Sequence, residues 1–149
     1  MLPTIEWRDD MVVMIDQRKL PEQERYVECR TAPEVARAIK TMVIRGAPAI
    51  GVAAAMGLAM SVARSKAKGT TRLAGEFYKL CDLMAGTRPT AINLSWAVNR
   101  MKQVFSEGIL AGHSVEEVAT QLRDEAQAIH DEDVASCRAM GAHGATVLP

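Results

Sequence analysis

The stretch of this chain best equipped for chemistry is Arg45-Gly46-Ala47-Pro48-Ala49-Ile50-Gly51. Pro48 opens a run with no charged residue before Arg64. Proline suits the first turn of a helix, where its missing N–H would have no partner anyway. The first amides of a helix point outward and carry partial positive charge. An arginine just outside that end, with a glycine that lets backbone come close, describes an anion pocket, most naturally for phosphate. The same residues also describe an ordinary Pro-started helix beside a solvated arginine, and on physics alone the two readings are even. A second stretch, Thr87-Arg88-Pro89-Thr90-Ala91-Ile92-Asn93-Leu94-Ser95-Trp96, repeats the logic: an Arg, a Pro, a capping Thr90, then an apolar helix. The guanidinium fork of Arg45 and of Arg88 suits phosphate oxygens. If the two helices start at the same end of a bundle, both amide clusters face one cleft. Removing one charge-assisted hydrogen bond there would cost about 1.5–3 kcal/mol.

Other candidates carry less. Asn93 and Ser95 sit at the start of an apolar helix, where they reach either a ligand hydroxyl or local capping bonds. His130, Asp131, Glu132, Asp133, Cys137 and His143 cluster in sequence. The histidines and Cys137 lack i, i+4 spacing, and no C-x-x-C supports them, so no metal is expected. Asp133 continues the apolar stripe of Ile129 and would need a partner, either Arg138 or a helix N-terminus. Cys29, Cys81 and Cys137 stand in no nucleophile motif, and there is no G-x-S-x-G. The residues thus describe a ligand-binding half-site without an evident catalytic group.

The elements that must position these residues follow from pattern. At 149 residues one domain is expected, with 48% hydrophobic and 24% charged residues and few aromatics. Eighteen basic and eighteen acidic residues leave no net charge, which removes the electrostatic case for nucleic acid or an anionic membrane. An odd number of cysteines without a visible signal peptide points to a reducing cytoplasm. The run from Pro48 to Ala63 reads as too short to span a bilayer and as a helix buried on nearly all sides. Met11–Ile15 and Tyr26–Cys29 read as a hairpin, with Ile5-Glu6-Trp7 available as a third strand. Thr31 with Glu34 makes a capping box for a helix ending near Ile44. The buried helix runs to about Ser65. A third places Leu73, Phe77, Leu80, Leu83 and Met84 on one face and closes at Gly86. The fourth passes Met101 and Phe105 and is broken by Gly108 and Gly112. Ser114 with Glu117 caps the fifth, whose stripe is Val115, Val118, Leu122, Ala126 and Ile129. It runs to about Gly141, and residues 141–149 enter a linker or strand. The fold class is α+β, mainly α: a small antiparallel sheet of two or three strands, then about five helices.

The stretch from Ile44 through Leu58 resembles the signature of methylthioribose-1-phosphate isomerases, relatives of the α-, β- and δ-type subunits of translation initiation factor 2B and of ribose-1,5-bisphosphate isomerases. Asp16-Gln17 with Leu20-Pro21, Thr87 through Leu94, and Asp131 through Gly144 resemble further segments of that family in the same order. The resemblance covers nearly the whole chain. It implies that Arg45, Gly46, Ala47 and Arg88 bind a sugar phosphate. It implies conversion of 5-methylthioribose 1-phosphate to its ribulose isomer in methionine salvage, without a cofactor, by a homodimer at full length. The family's catalytic Cys, in a T-H-C-N-type segment, and its Asp belong to a Rossmann-like C-terminal domain. None of Cys29, Cys81 and Cys137 stands in such a segment. Residues 1–149 therefore correspond to an N-terminal, substrate-capping domain, with the catalytic domain supplied elsewhere, on the same or a partner chain, and are expected to be inactive alone. The alternatives are a regulatory interaction module related to the initiation-factor subunits and the matching domain of a ribose-1,5-bisphosphate isomerase.

Overall fold

The computed structural model describes residues 3–149. Strands β1 (Ile5–Arg8), β2 (Met11–Ile15) and β3 (Tyr26–Cys29) form an antiparallel sheet in that order. Asp9 and Asp10 both take positive φ, 47° and 60°, which matches the turn that suits the twist of a two-residue hairpin. The register pairs Ile5 with Met14 and Trp7 with Val12 on one side, and Met14 with Val27 and Val12 with Cys29 on the other. Because alternate residues share a face, these six side chains point together onto the helices.

Five helices follow: α1 (Ala32–Lys40), α2 (Ala47–Arg64), α3 (Thr70–Thr87), α4 (Ile92–Leu110) and α5 (Val115–Ala145). α2 is the axis of the domain, packed by all four other helices and by β1 and β2. Every residue from Ile50 to Met60 is buried. At 18 residues α2 is long and apolar enough to cross a membrane by length and composition, contrary to the reading from its sequence. Its neighbours account for that composition: an element covered on every side needs no polar face. Glycines permit the close crossings. A Cβ on Gly51 would lie 2.8 Å from the Asn93 carbonyl oxygen of α4, and one on Gly57 would lie 2.8 Å from Met84 Cε of α3 and 3.1 Å from Val35 of α1. Phe77 of α3 stacks on Phe105 of α4 at 4.1 Å between ring centres.

Several boundaries differ from expectation. α1 stops at Lys40, because Met42 adopts a left-handed conformation (φ 64°). Its N–H then reaches Ile39 O (3.2 Å), and Val43 N–H reaches Ala38 O (2.9 Å), closing a Schellman end without glycine. Thr31 caps α1 at the Glu34 N–H, but Glu34 accepts from Arg30 N–H, one residue before the cap. The N-cap of α4 is Ala91, not Thr90. Gly108 does not break α4; it lies buried within it, against Val118 and Gln121 of α5. Leu83 faces solvent. α5 continues past Gly141 to Ala145, so most of the expected linker is helix.

Candidate functional site

Gly46 is the N-cap of α2, with φ 95° and ψ 124°, a conformation open to glycine at little cost. Pro48 stands in the first turn, and no side chain caps this end. The α4 start is likewise without a side-chain cap, whereas Thr31 and Ser114 cap α1 and α5. Neither the α2 nor the α4 first turn contains an acidic residue. Two dipole ends are thus left for solvent or a ligand to satisfy.

Gly51, just past the first turn of α2, meets Asn93 in the first turn of α4, so both helices begin at the same end of the bundle. Arg45, Gly46 and Ala47 lie exposed at the α2 start. Arg88, half-buried, is the C-cap of α3, and its carbonyl accepts from Ala91 N–H at the corner that launches α4 (3.0 Å).

Beside the junction lies a cleft of about 270 Å³. Pro48, Gly51 and Val52 of α2 form one wall, Asn93 and Trp96 of α4 another, and Ile129, Asp133 and Ser136 of α5 the third. Asp133 is half-buried; its contact is the Cys137 thiol 3.8 Å away, in place of the expected Arg138, and the α2 start lies across the cleft. Ser95 donates to Ile92 O (3.0 Å), which is local capping and not ligand recognition. His130 Nδ1 pairs with Asp131 (2.9 Å), and that contact holds the Asp131 carboxyl below its ordinary range. No three metal-binding side chains converge among the described residues.

Pattern reading missed the clamp behind the cleft. Arg100 of α4 lies over the Trp96 ring at 5.3 Å, bonds Glu132 through both terminal nitrogens (2.6 and 2.8 Å), and also holds Glu125. Arg100 holds the Glu132 carboxyl below its usual range, so this wall stays ionised and paired. The available signal was the seven-residue spacing of Glu125 and Glu132, two turns on one face of α5. The thiols of Cys29 and Cys81 are pushed up by burial, to about 11 and about 12, so neither is a nucleophile at neutral pH. The arrangement can hold an anion at paired helix starts and present polar groups from α4 and α5 to what the anion is attached to.

The fold is mainly α, with two helix starts that lack a side-chain cap and follow shortly after Arg45 and Arg88. The chain belongs to the initiation factor 2 subunit family, whose profile matches residues 43–149. It is 49% identical over 146 residues to the methylthioribose-1-phosphate isomerase of Geobacter metallireducens, covering 98% of this chain and 42% of that one. It is 47% identical to that of Koribacter versatilis, over 99% of this chain and 41% of the relative. Among solved structures, 5-methylthioribose 1-phosphate isomerase from Pyrococcus horikoshii OT3 matches with a TM-score of 0.94 and 43% identity, over 99% of this chain and 41% of that one. The delta subunit of translation initiation factor eIF-2B from A. fulgidus matches at 0.87 and 39%, over 99% and 42%. The chain thus spans about two fifths of the length of these relatives.

Proposed function

We propose that residues 1–149 form the N-terminal, substrate-closing domain of an aldose–ketose isomerase that converts 5-methylthioribose 1-phosphate to 5-methylthioribulose 1-phosphate in methionine salvage. The observation that carries this reading is the contact of α2 and α4 at Gly51 and Asn93, which sets two uncapped helix starts close together beside a cleft lined by Pro48 and Asn93. In this reading Arg45, Gly46, Ala47 and Arg88 bind the phosphate, and Asn93, Asp133 and Ser136 face the sugar hydroxyls. The carboxyl oxygens of Asp133 suit a hydroxyl donor better than a phosphate, which orients the ligand with its phosphate toward the helix starts.

Isomerisation needs a proton or hydride carried between adjacent carbons. Neither buried thiol is activated and Cys137 stands on the exposed part of α5; in this reading the chemistry belongs to the second, Rossmann-like domain that the family resemblance implies, on the same or a partner chain. The whole enzyme works as a homodimer in the cytoplasm. Three free cysteines suit that compartment. The 39% identity to an initiation-factor subunit favours a second reading, a regulatory interaction module; it makes no use of the Arg45–Arg88 pair.

Thermal melting with 5-methylthioribose 1-phosphate separates the two. At a hundredfold excess over Kd the ligand adds about 2.7 kcal/mol to the stability of the chain. Arg45→Ala and Arg88→Ala each weaken binding by about 1.5–3 kcal/mol while leaving the ligand-free melting temperature in place. A melt unmoved by the sugar phosphate at millimolar concentration supports the interaction module instead. Turnover by residues 1–149 alone would contradict the assignment of chemistry to another domain.

A further inference from the structure

We propose that Gln17 is a positioning residue for the anion cradle, aiming the Gly46 N–H by holding the other end of the same peptide group. The proposal rests on the reading that the α2 start binds phosphate. Gln17 lies just beyond β2, far from α2 in sequence, and makes two bonds to the segment that feeds the helix. Its backbone N–H donates to Val43 O (2.9 Å), and its side-chain Nε2 donates to Arg45 O (3.2 Å).

The segment between α1 and α2 has little else to fix it at its end. Met42 is locked by the Schellman bonds, and Val43 and Ile44 are anchored by burial. Arg45 and Gly46 are exposed, and Gly46 carries a φ of 95° with no Cβ to restrict rotation. The peptide joining them is planar and trans, so its C=O and N–H point in opposite directions. A donor that fixes the Arg45 carbonyl toward the β2–β3 loop therefore turns the Gly46 N–H away from that loop. The direction of the Ala47 amide follows from the same Gly46 backbone.

Gln17 is itself well braced. Asp16, the one buried charged residue among those described, accepts from Arg18 N–H (3.1 Å), Nε (2.9 Å) and Nη2 (2.8 Å). Asp16 N–H donates to Arg25 O across the loop (2.7 Å). This loop is a rigid strut running from the sheet to the helix start.

Gln17→Leu removes the side-chain donor and keeps the backbone bond to Val43, so the loop stays docked. The test is a titration of the 149-residue chain with inorganic phosphate, followed by the amide resonances of Gly46 and Ala47, with thermal melting of each variant. The expected result is an Arg45-dependent shift of both amides in the native chain, phosphate binding about three- to tenfold weaker in Gln17→Leu, and an unchanged melting temperature. Gln17→Glu, similar in size but unable to donate at neutral pH, should lose as much. Undiminished affinity in both variants overturns the role of Gln17 while leaving the phosphate site in place. Loss of affinity only in step with a lowered melting temperature makes Gln17 structural and also overturns it. No phosphate response in the native chain overturns the site itself.

Discussion

Single residues set the tolerances of this domain. Gly51 is the least forgiving. A methyl group there would sit 2.8 Å from a backbone oxygen of α4, and backbone cannot step aside as a side chain can. Gly51→Ala should destabilise by about 1–3 kcal/mol in denaturant unfolding. It should also weaken phosphate binding, because the overlap forces the two helix starts apart. Asp16 contributes to the response to acid. The Arg18 guanidinium lowers its pKa against the opposing effect of burial. A carboxyl whose folded pKa is depressed contributes stability that is complete above its unfolded value and is lost as pH falls through the folded one. The chain should therefore soften below about pH 4, and Asp16→Asn should flatten that part of the stability–pH curve. Melting temperatures between about pH 2.5 and 6 measure both slopes.

At the scale of elements, residues read well where local chemistry decides and poorly where packing does. β2 and β3 were visible as short runs, with Ile5-Glu6-Trp7 offered only as an available third strand, and the starts of α1 and α5 as Thr31 and Ser114 caps, because a cap is a bond between neighbours in sequence. Thr90 failed as a cap because the Arg88–Ala91 turn moves the start of α4 along by one residue. The end of α1 was hidden because methionine there takes a conformation usually marked by glycine. Gly108 looked like a breaker, yet the helix runs through it, since α5 needs the space a side chain would fill. The candidate site divides the same way. Arg45, Gly46 and Arg88 were picked out by residue type beside helix starts, and Ala47 by the family resemblance. The bonds of Gln17 and Arg100 were not, since they join elements whose relative direction no local pattern encodes; of the α5 wall only Asp133 was marked, by its place on the apolar stripe. The helix whose sequence carries the cleanest hydrophobic stripe ends as the least protected: beyond Ile129, α5 buries no residue. Hydrogen exchange should show strong protection at Val118–Ile129 and much weaker protection at residues 135–145, where only helical bonds defend the amides. Equal protection along α5 in the isolated chain would mean that its end is covered by something, such as a second copy.

For the molecule as a whole, α2 is the axis, and the β2–β3 loop, α4 and α5 come together at its start. The cleft is therefore as rigid as the core on two sides, where Gly51 and Asn93 bring the backbones into contact. The third side is different. α5 is 31 residues long, about 46 Å at about 1.5 Å per residue, and it lines the cleft at Asp133, Ser136 and Met140. The eleven residues from Ala135 to Ala145, none of them buried, span about 16 Å. A tilt of about 10° where α5 leaves the core would carry Ala145 through about 3 Å, the difference between a hydrogen bond and none. The helix thus has the mechanics of a lever with its short arm in the ligand cleft. Arg100, gripping both Glu125 and Glu132, sits at the fulcrum. A ligand that shifts the α5 wall by a fraction of an ångström would be read out, enlarged, at the far end.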